Sequence, residues 1–459
     1  MSVSTTSAAG PSPVVIIGAG PSGLLLARYL QLHHIPVKIY ERDRCPTYRP
    51  QGGSLDLHDD TGLKALRETE LLDIAQEYMR PEGEAQKVVD KDGKVLFDEN
   101  VYGENGALVT HFEKTNGEIR GRPEIDRTDL RNILIASLEP DTIQWSHALK
   151  SCEALSSTLY QVNFHSQPSI TTPYLVGADG TFSHVRPLLH PTKPDYSSVS
   201  MYDLNISSTT LSNQPKIQSY IGLGALELLG DGKAILAQMN SGGKAKVYVG
   251  LKVPERWQDE HPLPDEGKRR EWLATMFDGW TDMAKEVIMA SDEEGIMQRR
   301  IYQYDPELRW DTELTGVTVM GDAAHVMSPF AGEGVNQALA DALELGQALV
   351  RVFTPPSRRV SLAPFPLSLF PISPPPPSTP RIVAPKPEAL HSALRAFEKG
   401  MMRRASEEMR GSKENMDMFF GEEPAQALAT FMENVMSPTF MVKMTLDASV
   451  KWMKRLWNN

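Results

Sequence analysis

The chain has 459 residues, with 47 lysines and arginines against 59 aspartates and glutamates, a formal charge of −12 that argues against nucleic acid or an anionic membrane surface as the main partner. The length exceeds one ordinary core, so two or three domains, or one discontinuous domain with an insertion, are expected around a small-molecule site. Two distant cysteines, Cys45 and Cys152, exclude a disulfide framework and a paired-cysteine redox centre. Neither a signal-peptide pattern nor an apolar run of about 18 residues occurs, and a soluble, cytoplasmic protein without stable membrane insertion is expected.

Val14-Val-Ile-Ile17 is a β-branched run that leads straight into Gly18-Ala-Gly20-Pro-Ser-Gly23, and the helix formers Leu24 to Leu32 follow. The pattern predicts a strand, a glycine turn and a helix. Gly18 permits the tight turn, Gly20 lets a pyrophosphate approach the backbone, and Gly23 lets the helix lie close to the strand. Val37-Lys-Ile-Tyr40 predicts a second strand ending in Glu41, 23 positions after Gly18, where a carboxylate can accept hydrogen bonds from a ribose diol. Asp43 is a less well placed substitute. A glycine turn in a structural βαβ unit is the bland alternative, and the acid at this spacing favours a dinucleotide.

The glycine-containing loop from Arg49 to His58 precedes a helix near Asp60 and is long enough to reach along a cofactor. Arg49 is placed to meet a pyrophosphate or a ring edge there, with Asp56 orienting the same region, against a bland reading of Arg49 as a solvated charge. A helix opens at Arg127 with Asp126 as N-cap and an apolar face of Leu130, Ile133, Leu134 and Leu138. On spacing alone Arg127 and Arg131 are exposed helix charges.

Short alternating runs over 143–176 predict an antiparallel meander that ends in the strand Tyr174-Leu-Val-Gly177, followed by Ala-Asp179-Gly180. Residues 197–255 alternate again, with Val247, Val249 and Leu251 on one side and Tyr248 and Gly250 on the other, punctuated by Gly222, Gly224, Gly230, Gly232, Gly242 and Gly243 as hairpin turns. Asp203 and Glu227 on these strands read as pocket-facing or solvated. A helical stretch near 265–290 and a strand near 298–304 follow. Val317 to Met320 then predicts a buried strand that ends in Asp322 and feeds Gly332, Glu333 and Gly334 into a helix carrying Val335, Leu339, Ala342, Gly346 and Leu349. His325 in that loop reads as structural rather than as a general base.

Twelve of the 34 prolines fall between Pro355 and Pro387, which predicts a linker or an untypical insertion rather than helix or central strand. From Glu388 the pattern is helical, and 10 of the 20 methionines follow residue 400, Met416 and Met418 among them, as core or as lining for a flat ligand. The basic, aromatic Lys451 to Trp457 is expected to fold back on the protein rather than lie on a membrane.

Together GAGPSG (18–23) with Glu41, GADGTFSHVR (177–186) and GDAAHVMSPFAGEGVN (321–336) resemble the three fingerprints of the single-component, or group A, FAD-dependent aromatic hydroxylases. GGSLDLH (52–58), RPEIDRTDLRNIL (122–134) and SPFAGEGVN (328–336) look most like the tetracycline-inactivating flavin monooxygenases among them. The resemblance implies an α/β (α+β) fold: a Rossmann-like FAD-binding domain over 13–190 and 297–352 that includes the 143–176 meander, an inserted, mainly antiparallel substrate sheet over 195–296, a proline-rich segment over 354–387 and C-terminal helices over 388–459. It implies FAD held at its pyrophosphate by Gly18, Gly20 and Gly23, at the adenosine ribose by Glu41, and elsewhere by Arg49, Asp56, Arg127, Asp179 and Asp322. Pro329 and the loop of Gly332, Gly334, Val335 and Asn336 would lie beside the isoalloxazine, where a helix N-terminus stabilises the anionic reduced flavin.

The implied reaction is hydroxylation of a flat aromatic or polyketide-like molecule through a C4a-hydroperoxyflavin, with NADH or NADPH as transient reductant, dioxygen as co-substrate and no metal. Asp203, Tyr248 and Met418 are the substrate-contact candidates. Ala225 and Tyr248 stand where tetracycline-active relatives carry basic or polar contacts, so a different phenolic substrate is expected. Two other function classes fit less of the pattern: a FAD oxidase or reductase without oxygen insertion, and a non-enzymatic binding protein resembling the Rab escort and dissociation-inhibitor proteins, which share only the first glycine motif.

Overall fold

A computed structural model of the chain describes residues 11–49, 52–103, 108–109, 122–354 and 382–436. Its centre is a parallel sheet of five strands in the order Val317–Val319, Leu175–Gly177, Val14–Ile17, Val37–Tyr40, Ile143–Gln144. Val14–Ile17 and Val317–Val319 are buried at every position, as β-branched strands covered on both faces must be. From Val14–Ile17 the chain goes to one side for Val37–Tyr40 and later to the other for Leu175–Gly177. The order therefore reverses at the carboxyl end of that strand, the place where open α/β sheets form a crevice. Parallel pairing brings the ends of Ile17, Tyr40, Gly177 and Val319 to one edge, so all three glycine and acid motifs emerge together.

Helix Pro21–Leu32 starts with Pro at its first turn and buries eight of its 12 residues. It crosses Gly334–Phe353, a 20-residue helix, at Gly346, where an added Cβ would stand 2.5 Å from the Tyr29 ring. The predicted meander is narrower than 143–176. Its three antiparallel strands are Leu149–Ser156, Leu159–Phe164 and Ile170–Thr172, while Ile143–Gln144 and Leu175–Gly177 belong to the parallel sheet. Local alternation marks a strand but not its partner.

The second large layer is a seven-stranded sheet in the order Met297–Gln303, Asp195–Ile206, Lys244–Lys252, Lys233–Asn240, Ala225–Gly230, Gln86–Asp90, Val95–Asp98. Limits of 195–296 therefore omit three of its strands, one of which, Gln86–Asp90, pairs in parallel with Ala225–Gly230. The alternating reading of 197–255 also passed over two helices, Ser208–Asn213 and Pro215–Ile221. Ser207 caps the first by accepting from the Thr210 N–H, Pro215 opens the second, and Gly222 at φ 94° ends it instead of turning a hairpin.

The outer face of this sheet buries Tyr202, Leu204, Leu228, Ile235, Val247 and Val249 against Leu273, Phe277, Trp280 and Val287 of the following helical stretch. The inner face packs Val199, Met201, Leu229 and Ala234 against Phe330, Met416, Phe419, Phe420 and Leu428. Among the described residues after 386, two helices, Pro387–Phe419 and Pro424–Met436, pack on this inner face through Met416, Phe419, Ala425 and Leu428. Lys451 to Trp457 and nearly all of the proline-rich segment lie outside the described residues. Among the described residues, no helix is long and apolar enough to cross a membrane.

Candidate functional site

The three glycines of the first motif meet different surroundings. Gly18 has φ 107°, and a Cβ there would stand 2.3 Å from the Ala178 carbonyl oxygen; at Gly23 it would stand 2.2 Å from the Gly18 carbonyl oxygen. Both positions are closed to any side chain. Gly20, which caps helix Pro21–Leu32, has nothing within 4 Å of a built Cβ. The space beside that helix start is open, and a helix N-terminus with unpaired N–H groups is where a phosphate would rest.

Glu41 is buried at the end of Val37–Tyr40 and accepts from the Ala19 N–H at 2.6 Å and the Asp43 N–H at 2.9 Å. It holds the glycine turn in shape, and each oxygen retains a lone pair for a further donor. Arg49 pairs with buried Asp43 at 3.0 Å. Arg131, read from spacing as an exposed charge, is only 3 % exposed: its Nε donates to the Ala19 carbonyl at 3.2 Å and its Nη1 to the Pro46 carbonyl at 2.7 Å. Burial holds its guanidinium below the usual range, opposed by Glu41 and Asp43. Helical spacing carries no signal for this role, since only the tertiary fold covers that turn.

The second motif is a self-capped turn. Asp179 accepts from the Ser183 hydroxyl at 2.5 Å and the His184 N–H at 2.7 Å, and burial raises its carboxyl pKa against those bonds. Arg186 is fully buried, its guanidinium 3.5 Å from the centre of the Tyr304 ring.

At the third motif Gly321 has φ 58° and starts the short helix Asp322–His325, which leaves Asp322 exposed. Arg127 opens the helix Arg127–Ala136; burial lowers its pKa, and Asp322 across the cleft raises it. Asp126 occupies the N-cap position of that helix, but its side chain accepts from the Ser241 N–H at 3.2 Å instead of capping. His325 is buried with Nε2 2.6 Å from Asp341, in accord with a structural role.

After the turn Pro329–Ala331, Gly332 takes a left-handed conformation and would place a Cβ 3.0 Å from an Asp56 oxygen. Gly334 begins its helix with nothing within 4 Å of a built Cβ. Val335 is buried, and so is Asn336, whose amide donates to the Asp56 carbonyl at 3.0 Å while its Oδ1 accepts from the His58 N–H at 3.0 Å. Open space thus lies beside two helix starts, at Gly20 and Gly334, and Arg127 and Asp322 are close enough to interact electrostatically. This chain's residues fit an extended dinucleotide with phosphates at one end and an electron-accepting ring at the other.

The inner face of the seven-stranded sheet roofs this crevice. Asp203, Tyr248, Leu236, Glu227 and Val88 are paired side by side across five strands, and Asn205, Lys246, Gln238 and Ala225 form the adjacent row. Asp203 and Glu227 are buried rather than solvated. Asp203 lies 2.7 Å from Arg299 Nε and 3.9 Å from Lys246 Nζ, although Arg299 is poorly aligned for a hydrogen bond. Burial pushes the Glu227 carboxyl up to about 8 and raises the Tyr248 phenol, to which Asp203 adds.

Tyr248 and Gln238 reach the cofactor-side chain at Gly53, where a Cβ would stand 2.9 Å from the phenol oxygen and 3.1 Å from Gln238 Oε1. Met418 is half-buried beside Phe330, Phe419 and Phe420 at the other end of the roof. Sequence reasoning missed Lys246, Gln238 and Arg299. The two-residue period that placed Tyr248 also puts Lys246 on the same face. A separate cavity of about 670 Å³, lined by Thr210, Gln214, Arg270 and residues 289–294, lies by the outer helices and contains none of these residues. Among the described residues, no group of three or more His, Cys, Asp or Glu side chains is placed to hold a metal ion.

Comparison with known proteins agrees with this geometry. The family profile described as FAD binding domain matches residues 11–359. Monooxygenase penA of Penicillium thymicola is 30% identical over 382 residues, covering 73% of this chain and 84% of that protein. Among solved structures, HpxO of Klebsiella pneumoniae in complex with FAD and uric acid matches with a TM-score of 0.64 and 20% identity, over 92% of each chain. The tetracycline destructase Tet(51) matches with a TM-score of 0.59 and 16% identity, over 94% of this chain and 98% of that one. The chain therefore belongs to the FAD binding domain family and is a FAD-dependent monooxygenase.

Proposed function

We propose that the chain uses NADH or NADPH and dioxygen to hydroxylate a flat aromatic or polyketide-like molecule held between the glycine loop at 332–334 and the roof formed by the seven-stranded sheet. The single observation that carries this reading is the crevice itself: open space beside two helix starts, with Arg127 and Asp322 close enough to interact electrostatically, faces a sheet row that holds Asp203, Tyr248 and Glu227. FAD, when bound, supplies the exchange of electrons with the nicotinamide and with dioxygen.

The protein's own part is position, charge and the exclusion of water. In this reading Gly18, Gly20 and Gly23 seat the pyrophosphate, Glu41 takes the adenosine ribose, and Arg49, Arg127, Asp179 and Asp322 hold the middle of the cofactor. The N–H groups at the start of Gly334–Phe353 stabilise negative charge that develops at the ring. Asp56, Pro329 and Asn336 fix that loop, Val335 seals it from the core, and Asp203, Tyr248 and Met418 line the substrate side. Buried Lys246 and half-exposed Arg299 keep positive charge beside Asp203, which suits a substrate carrying phenol or enol oxygens.

The test is direct. The purified protein is expected to be yellow with stoichiometric FAD. A panel of phenolic and polyketide-like compounds is expected to contain members that accelerate NAD(P)H oxidation and gain one oxygen by mass spectrometry. Peroxide as the sole product with every accelerating compound would establish the oxidase alternative, and a colourless protein that cannot be reconstituted with FAD would sink both.

A further inference from the structure

His58 follows the Ser54–Asp56 strand, and the motifs do not explain it. Its ring stands between two carboxylates from opposite ends of the sequence: Nε2 is 2.9 Å from Asp56 Oδ2, and Nδ1 is 3.1 Å from Glu333 Oε1. Ionised carboxylates only accept hydrogen bonds, so a histidine with a carboxylate at each nitrogen satisfies both by carrying two protons. Asn336 bridges the same two segments through the Asp56 carbonyl and the His58 N–H. Asp56 in turn lies against Gly332, where a Cβ would stand 3.0 Å from its oxygen.

We propose that His58, as an imidazolium, is a positioning residue that clamps the segment 54–58 to the glycine loop at 332–334 and thereby holds the flavin end of the site in its binding shape. The clamp rests on the reading of that loop as the flavin end. It joins a strand beside Arg127 to the start of Gly334–Phe353 across 275 positions of chain (58 to 333), and neither segment reaches the other through regular secondary structure.

The charges around the ring favour its protonation. Besides Asp56 and Glu333, Asp60 and the helix Pro387–Phe419, through Glu407 and Glu408, present carboxylates in the same field, while exposed Arg122 lies 4.0 Å from Asp56. Burial works against the cation, but the bonds to Asp56 and Glu333 outweigh it and lift the imidazole to about 9. The raised value fixes the sign: the clamp is at full strength below about pH 6.5 and is lost as pH rises through about 9.

The experiment follows release of FAD from the holoenzyme by the fluorescence of the free cofactor, from pH 7 to pH 10, in the parent and in His58→Gln. The parent is expected to release FAD at least about tenfold faster at pH 10 than at pH 7, along a one-proton curve. His58→Gln is expected to release it at the faster rate already at pH 7, without that curve. Lys246 and Tyr248 are present in both proteins, so the difference isolates His58. Thermal denaturation of the two proteins across the same range reads the clamp without reference to the flavin, and the gap between their midpoints is expected to close above pH 9. A gap that does not change with pH, or equal FAD release from both proteins at pH 7, would overturn the clamp. Failure to bind FAD with the pH-dependent gap intact would instead remove the flavin reading and leave the clamp standing.

Discussion

Gly20 and its two companions separate packing from binding. At Gly20 the backbone has an ordinary φ of −77° and open space beside it, so Gly20→Ala is expected to fold within about 0.5 kcal/mol of the parent. The added methyl would occupy the phosphate position, and FAD affinity is expected to drop at least about tenfold, the equivalent of about 1.4 kcal/mol. Gly18→Ala meets a positive φ and a carbonyl oxygen at 2.3 Å and is expected to cost roughly 2–5 kcal/mol of stability. Thermal midpoints and flavin titrations distinguish the two, and equal FAD affinity in Gly20→Ala and parent would move the pyrophosphate elsewhere. At this scale the glycines were legible because backbone geometry leaves few substitutes. Arg131 and Lys246 were not, since an arginine or lysine on a helix or strand is ordinarily solvated, and only the assembled fold buries one; Arg299 stays half-exposed and meets Asp203 from a neighbouring strand.

Between elements, the loop at 321–336 is held by side chains from the helices that flank it. Asp341 on Gly334–Phe353 accepts from the Gly321 N–H at 2.9 Å, lies 2.6 Å from His325 and meets Arg404 of Pro387–Phe419 at 2.5 Å. Its burial would raise its pKa, yet His325 and Arg404 hold the carboxyl below the usual range. Its contribution is therefore present at neutral pH and lost as pH falls through that depressed value. Asp341→Asn leaves His325 and Arg404 facing a neutral amide in the core and is expected to cost about 3–5 kcal/mol, measured by chemical denaturation at pH 7. A loss below about 0.5 kcal/mol would show that the loop does not depend on this strap.

The elements themselves were partly readable. Val14–Ile17, Leu175–Gly177 and Val317–Val319 were visible as apolar runs at a glycine, and Val37–Tyr40 as a run that ends in an acid. The roof strand Gln86–Asp90 was not, because its pairing with Ala225–Gly230 across more than 100 positions leaves no trace in local alternation, and Val95–Asp98 joins the roof only as its neighbour.

Over the whole molecule, three buried carboxyls add to the pH response of His58 and Asp341. Burial is the main cause at each: Glu124 is pushed up to about 7, Glu227 to about 8 and Glu398 to about 7. In the unfolded chain the same groups ionise near pH 4.5, so between that value and pH 8 the folded state holds more protons and stability falls as pH rises. The thermal midpoint is expected to be higher at pH 5.5 than at pH 8.5, and Glu227→Gln is expected to flatten the slope; a midpoint that rises over that interval would contradict the assignment. Such groups are invisible in the net charge of −12, which counts each as ionised.

The order of the parallel sheet also bears on how the protein is made. Gly18 and Gly334 serve opposite ends of one crevice, yet 316 positions (18 to 334) separate them, and Val317–Val319 joins the sheet only after the whole roof has been synthesised. A growing chain on the ribosome thus carries the phosphate end of its cofactor cleft for most of translation without the opposite wall. On the proposed reading flavin loading is expected to be a late event in its biosynthesis, and chains truncated before Gly334 are expected to retain no flavin.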